Sequence, residues 1–158
     1  NNKATALPMS KKTAIRLFTI GFTKTSAANF FGRLERSGVC RVIDTRLNNT
    51  SQLSGFAKQP DLEYFLSKVS GITYEHQLSF APTKDILEDY KKKRINWQDY
   101  ENKYLELIRR RAVESLVNPE KIDGVCLLCS EDKPHYCHRR LLAEYLKSNF
   151  NNIEIVHL

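Results

Sequence analysis

Five short apolar runs rich in strand-forming residues alternate with stretches of helical period, and no other feature constrains the fold as tightly. Strands separated by helices pair in parallel and leave both faces of the sheet to be covered. The runs fall at residues 15–20, 40–44, 72–76, 125–129 and 153–156. Ser26 is placed to cap a helix that shows Phe30, Phe31 and Leu34 on one face and closes at Gly38. Leu62, Phe65, Leu66 and Val69 mark a second helix ending at Gly71, and residues 83–120 carry two more segments, the later one with Trp97, Tyr100, Tyr104 and Ile108 on one stripe. Leu141, Leu142, Tyr145 and Leu146 mark the last helix. The pattern predicts a three-layer α/β domain over residues 14–158, with a mainly parallel five-stranded sheet and helices on both faces. Residues 1–13 show no periodicity; they are expected to form a flexible segment outside the fold, with Met9 a candidate natural start.

Composition narrows the partner. Twenty-five Lys and Arg against 18 Asp and Glu give a formal charge of +7, which directs attention to anionic ligands. Of four cysteines, Cys126, Cys129 and Cys137 crowd into one short stretch, a pattern of chemistry or metal binding more than of disulfide scaffolding. No apolar run is long enough to span a bilayer and no signal-peptide core is present, so a cytoplasmic protein without a membrane partner is expected.

In an open parallel sheet, ligands bind outside the carboxyl ends of the strands. Gly21 closes the first strand, Asp44 and Arg46 follow the second, His76 ends the third, and Cys129 and Glu131 follow the fourth. The amino ends carry only Arg16, Arg41 and Asp123, read as solvated residues. The densest stretch, residues 129–140, is a strand-to-helix loop with two thiols, two imidazoles, carboxylates and two guanidinium groups. A thiol at a helix N-terminus beside an arginine is readily held as the nucleophilic thiolate. The same N–H groups with Arg139 suit a phosphate or carboxylate. The reading is an enzyme acting on an anionic small molecule, a nucleotide or nucleic-acid component, with no cofactor. Cys129, Glu131 and Asp44 are the expected catalytic groups, Asp44 either orienting Arg46 or acting as base. Arg46, Arg139, Gly21 and His76 are expected to bind substrate, with Cys137 and His138 supporting them.

Two alternatives use the same residues. One is a non-catalytic nucleic-acid or regulatory ligand-binding module; the other is a metal site of Cys129, Cys137 and His138. Against metal, Cys126 and Cys129 lie three apart on a strand and face opposite sides, and adjacent helical residues such as Cys137 and His138 diverge by about 100°. Cys40 and Cys126 read as core thiols, and the Trp97, Tyr100, Tyr104 stripe reads as core and not as a base-stacking platform. Lys91 to Arg94 and Arg109 to Arg111 read as solvated helix surface, because residues 83–121 hold ten basic and eight acidic side chains.

Thr19-Ile20-Gly21-Phe22, Asp44-Thr45-Arg46, Gly55-Phe56, Tyr74-Glu75-His76, and Cys129-x-Glu131 followed by Cys137-His138-Arg139 together resemble the family catalogued as domain of unknown function 488. The resemblance runs over residues 15–158 and implies an α/β domain of bacteria or archaea, without implying a reaction. The chain departs from the family pattern at Leu47-Asn48-Asn49-Thr50-Ser51, where a proline is usual, and at Leu78-Ser79, where Leu-Gly is usual; the second loop is expected to take a different path.

Overall fold

The computed structural model describes residues 14–50 and 54–158; the N-terminal segment 1–13 and Ser51 of the polar loop lie outside them. The five expected strands are β1 (Ile15–Gly21), β2 (Arg41–Asp44), β3 (Thr73–His76), β4 (Val125–Cys129) and β5 (Ile153–His157). They form one sheet in the order β3-β2-β4-β1-β5, and every pairing is parallel. The register sets Gly21 opposite Cys129 and Asp44 opposite His76. All the expected reactive strand ends therefore emerge along one edge.

Five helices connect the strands: α1 (Ala27–Ser37), α2 (Gln59–Ser70), α3 (Lys84–Lys91), α4 (Trp97–Arg110) and α5 (His138–Asn149). Ser26 caps α1 by accepting from the Asn29 amide, and Gly38 ends it in the left-handed region at φ 76°. A reciprocal capping box between Asn96 and Asp99 fixes the start of α4.

The period of two along the strands sorts the core into two layers. Leu17, Val125 and Leu127 face α4 and α5, packing on Tyr104, Ile108, Leu141 and Leu142. Phe18, Ile20, Cys126 and Leu128 face the other way, onto Phe30 and Leu34 of α1 and Leu62 and Leu66 of α2. Cys126 and Cys129 thus project to opposite sides, as their spacing requires. All five β4 residues are buried, which is why that run shows no polar alternation.

Three local readings change. Strand β2 begins at Arg41, and Cys40, expected in the core, is exposed with its thiol turned to the Asp123 carbonyl. Tyr100 and Tyr104 are core, and Trp97 at the end of the same stripe packs against that core but is only partly buried. Leu78–Phe80 forms a 3-10 turn in which Ser79 adopts no left-handed backbone, so the loop closes without the glycine usual there. Among the described residues no helix is long and apolar enough to cross a membrane.

Candidate functional site

The loop from β4 to α5 is seated by a close approach at Gly21. A Cβ at that position would overlap the Glu131 carbonyl oxygen, so only glycine lets the loop lie against the end of β1. Thr23 reinforces the seat, its amide and hydroxyl both donating to the Ser130 carbonyl. Gly21, expected to contact substrate, lies against this loop.

Arg139 lies beneath this loop, fully buried. Its Nε donates to Thr19 Oγ1 at 3.3 Å, its Nη2 to the Asp132 carbonyl at 3.3 Å, and its Nη1 to the Glu131 carbonyl. Nη1 also meets the Cys129 Sγ at 3.1 Å and the Cys137 Sγ at 3.6 Å. Burial lowers its pKa to about 10, so it is cationic at neutral pH. Every nitrogen is engaged by a protein acceptor. Arg139, expected to bind the anion, spends its nitrogens on protein acceptors and lies against the two sulfurs.

Cys129, at the end of β4, and Cys137, at the N-cap of α5, bring their sulfurs into contact. The two are paired as a disulfide, with Cα atoms 7.7 Å apart against the roughly 4.4–6.8 Å usual for such bonds; reduction leaves two facing thiols. No side chain caps α5, whose N-cap residue is Cys137 itself, so the first amides of that helix lie next to that residue without a side-chain acceptor. Cys126 on the opposite face has its thiol pKa pushed far up by burial.

On the neighbouring strand end, Asp44 and Arg46 form a buried bidentate pair. Arg46 Nε donates to Asp44 Oδ1 at 2.9 Å and Nη2 to Oδ2 at 2.7 Å, while the Arg46 amide also reaches Oδ1. Tyr74 adds a fourth donor to Oδ2 at 2.6 Å, and burial followed by that bond raises the tyrosine pKa. Asp44 thus accepts from four donors, has no surface exposed and holds the Arg46 side chain in place. His76 Nε2 donates to the Arg46 carbonyl at 2.7 Å and so holds the same residue by its backbone. The guanidinium stacks over Phe22 at 5.1 Å. Its remaining nitrogen, Nη1, is buried and has no hydrogen-bond partner among the described residues.

His138 opens α5 and is locked by Thr45. Its Nε2 lies 2.9 Å from both the Thr45 carbonyl and the Thr45 hydroxyl. A carbonyl only accepts, and the hydroxyl spends its own hydrogen on the Leu128 carbonyl, so Nε2 carries the proton and Nδ1 the lone pair. Burial pulls the imidazole pKa down to about 4, leaving it neutral. This is the fixing hydrogen bond expected of His138.

These groups border a cavity of about 990 Å³, at the upper end of the roughly 300–1,000 Å³ of ligand pockets. Cys129, Glu131, Tyr136, Cys137 and His138 line one part of it, Arg46 another, and Tyr90, Trp97 and Tyr100 a third, with Lys91, Lys93 and Arg94 alongside. Arg46 and Cys129 thus share one pocket. Gly21, Asp44, His76 and Arg139 stand outside its lining and hold the groups that form it. Among the described residues no group of three or more His, Cys, Asp or Glu side chains is gathered as a metal site would need. Thr45, Tyr74 and Phe22 stand in the motifs that carry the family resemblance but were given no role of their own, although Tyr74 lies two residues from His76 on the same side of a strand.

No match was found among curated proteins or among solved structures. The family model for the Domain of unknown function DUF488 matches residues 26–146, well over half of the chain and inclusive of Asp44, Arg46, Cys129 and Arg139. The chain belongs to that family.

Proposed function

We propose that the protein is an enzyme acting on an anionic substrate, a nucleotide or nucleic-acid component, with Cys129 as nucleophile. What carries the reading is that a buried guanidinium with a nitrogen unpartnered among the described residues, that of Arg46, belongs to a residue lining the same cavity as Cys129. Arg46 anchors the anion; the Cys129 thiolate attacks the adjacent electrophilic centre, the bond from that centre to its leaving group breaks with its electron pair, and Glu131, exposed in the lining, passes a proton to the departing group. Asp44 and His76 position Arg46, Arg139 holds positive charge behind the sulfurs, and His138 ties the start of α5 to the end of β2.

The test is competitive alkylation of the reduced protein. Cys129 should react faster with iodoacetate than with iodoacetamide, relative to the ratio at exposed Cys40, and inorganic phosphate should protect it. Equal ratios at Cys129 and Cys40 overturn the anion pocket. A binding module without turnover is favoured by one observation, the Lys91, Lys93 and Arg94 cluster at the cavity. It requires affinity for nucleic acid that falls steeply between about 50 and 200 mM salt, with no chemical change in any ligand.

A further inference from the structure

Three near-parallel rings form a ladder that begins in the core and ends at the cavity. Tyr104 and Tyr100 stack at 6.4 Å and 13°, and Tyr100 and Trp97 at 5.0 Å and 20°. Tyr104 and Tyr100 are ordinary core residues, but Trp97 is only partly buried and lines the cavity. Two more rings meet it there edge-on, Tyr90 at 5.7 Å and 64° and Tyr136 at 5.4 Å and 76°. Tyr136 is 66% exposed, a large apolar surface left in water on a loop that also carries the reactive sulfurs. Aromatic faces that open onto a pocket together with lysine and arginine are the arrangement that stacks nucleobases beside their phosphates.

We infer that Trp97 and Tyr136 form a nucleobase subsite and that the ligand is a nucleoside phosphate, its base extending the Trp97 ladder and its phosphate at Arg46. The inference rests on the reading of Arg46 as the anion anchor. It explains why the apolar stripe of α4 continues to a residue that packs on the edge of the core yet leaves part of its ring at the cavity. It also gives Tyr136 a function, since a base laid on the open part of Trp97 and against Tyr136, whose rings already meet edge-on, covers both. Lys93 and Arg94 supply charge beside that position. The same chemistry is offered by a free nucleotide and by one nucleotide unit of a single strand.

Trp97 is the only tryptophan of the chain, so its emission reports this subsite alone. Adenosine, guanosine, cytidine and uridine monophosphates, ribose 5-phosphate, adenosine and a short single-stranded oligonucleotide are titrated into the full-length protein, with affinities from calorimetry alongside. The nucleoside monophosphates should quench Trp97 saturably and bind about 5- to 150-fold tighter than ribose 5-phosphate, the factor that one stacked base supplies. Tyr136→Ala should bring that ratio down toward one. Equal binding of ribose 5-phosphate and all four monophosphates by the unmodified protein overturns the subsite while the anion reading stands. Adenosine binding as tightly as its monophosphate overturns the Arg46 anchor and leaves the stacking subsite. If no compound binds, both fall. An oligonucleotide that binds tighter than the monophosphates, with the Tyr136→Ala variant losing that affinity, assigns the unit of a single strand; an oligonucleotide that fails to quench assigns the free nucleotide.

Discussion

Replacing Asp44 and Arg46 first singly and then together separates a loop tie from an anion anchor. In the folded protein the Asp44 carboxylate is fully buried and accepts four hydrogen bonds at 2.6–3.1 Å, while Arg46 is 4% exposed. Asp44→Asn keeps one acceptor oxygen but turns an amide donor toward groups that also donate. Arg46 is then a buried cation without a counter-charge. Breaking a buried pair from one side costs about 3–5 kcal/mol, which at this chain length lowers the melting temperature by ~6–20 °C. Arg46→Met strands the carboxylate and costs a similar amount. Asp44→Leu with Arg46→Met removes both charges, and Tyr74→Phe retires the hydroxyl that loses its acceptor; most of the loss should then be recovered, because two desolvated charges no longer need to be matched. Urea denaturation followed by circular dichroism measures stability, and the iodoacetate-to-iodoacetamide rate ratio at Cys129 measures the anion site. Arg46→Met should lose both properties and Asp44→Asn should lose stability; the triple variant should regain stability and still show the ratio of Cys40. A triple variant as unstable as the singles refutes the buried-charge reasoning, and one that keeps the native rate ratio shows the pair to be a loop tie only.

His138 titrates near pH 4 when folded against 6.5 when free, so protons favour the unfolded chain. Its contribution is complete above pH 6.5 and is lost as pH falls toward 4, by roughly 3 kcal/mol. His138→Gln should flatten that limb of the urea-midpoint curve, and an unaltered slope would falsify the assignment. Gly21→Ala forces the Glu131 carbonyl away from β1 and should cost about 1–3 kcal/mol together with the Cys129 rate preference. Gly32→Ala, inside α1 and facing only the flexible end of Arg36, should instead stabilise by up to ~1 kcal/mol; hydrogen exchange over residues 130–137 distinguishes the two.

The sheet was legible because period two and period 3.6 are imposed by geometry on every residue of an element: Leu17 and Phe18, or Leu127 and Leu128, fall into opposite layers by alternation alone. The end of the sheet that carries the site was legible for the same reason, since strand direction fixes which termini align. Side-chain direction at those ends was less so. Spacing places Arg139 near the sulfurs but cannot say that its donors are consumed by Thr19, Glu131 and Asp132, because those acceptors come from β1 and from the loop's own path. Cys40 precedes β2 by one residue, where alternation no longer dictates burial. Trp97 continues the stripe of Tyr100 and Tyr104, so periodicity alone assigned it to the core; what ends the core there is the cavity, a property of three separated segments. Charge misled in a similar way. Four of the basic residues lie in residues 1–16, with no acid among them, whereas Lys91, Lys93 and Arg94 belong to a balanced helical region and yet gather at the pocket.

The two buried arginines pose different electrostatic problems, and the difference bears on which group reacts. Arg46 has a carboxylate against it. Arg139, buried and cationic, has among the described residues no carboxylate within 4 Å; its contacts are carbonyls, a hydroxyl and two sulfurs. Carbonyl dipoles offset part of the cost of burying that charge, but only the sulfurs can supply a full opposite charge in direct contact. Folding around Arg139 is therefore expected to draw one proton from the facing thiols, with the first amides of α5 favouring the same outcome. The reduced protein should show the 240 nm absorbance of about one thiolate at neutral pH, lost on unfolding at the same pH. Arg139→Met should abolish that absorbance, and Cys126→Ser should leave it intact because that thiol lies on the other face of the sheet. An Arg139→Met variant that folds and retains the thiolate would show that the helix, and not the guanidinium, sets the charge on Cys129.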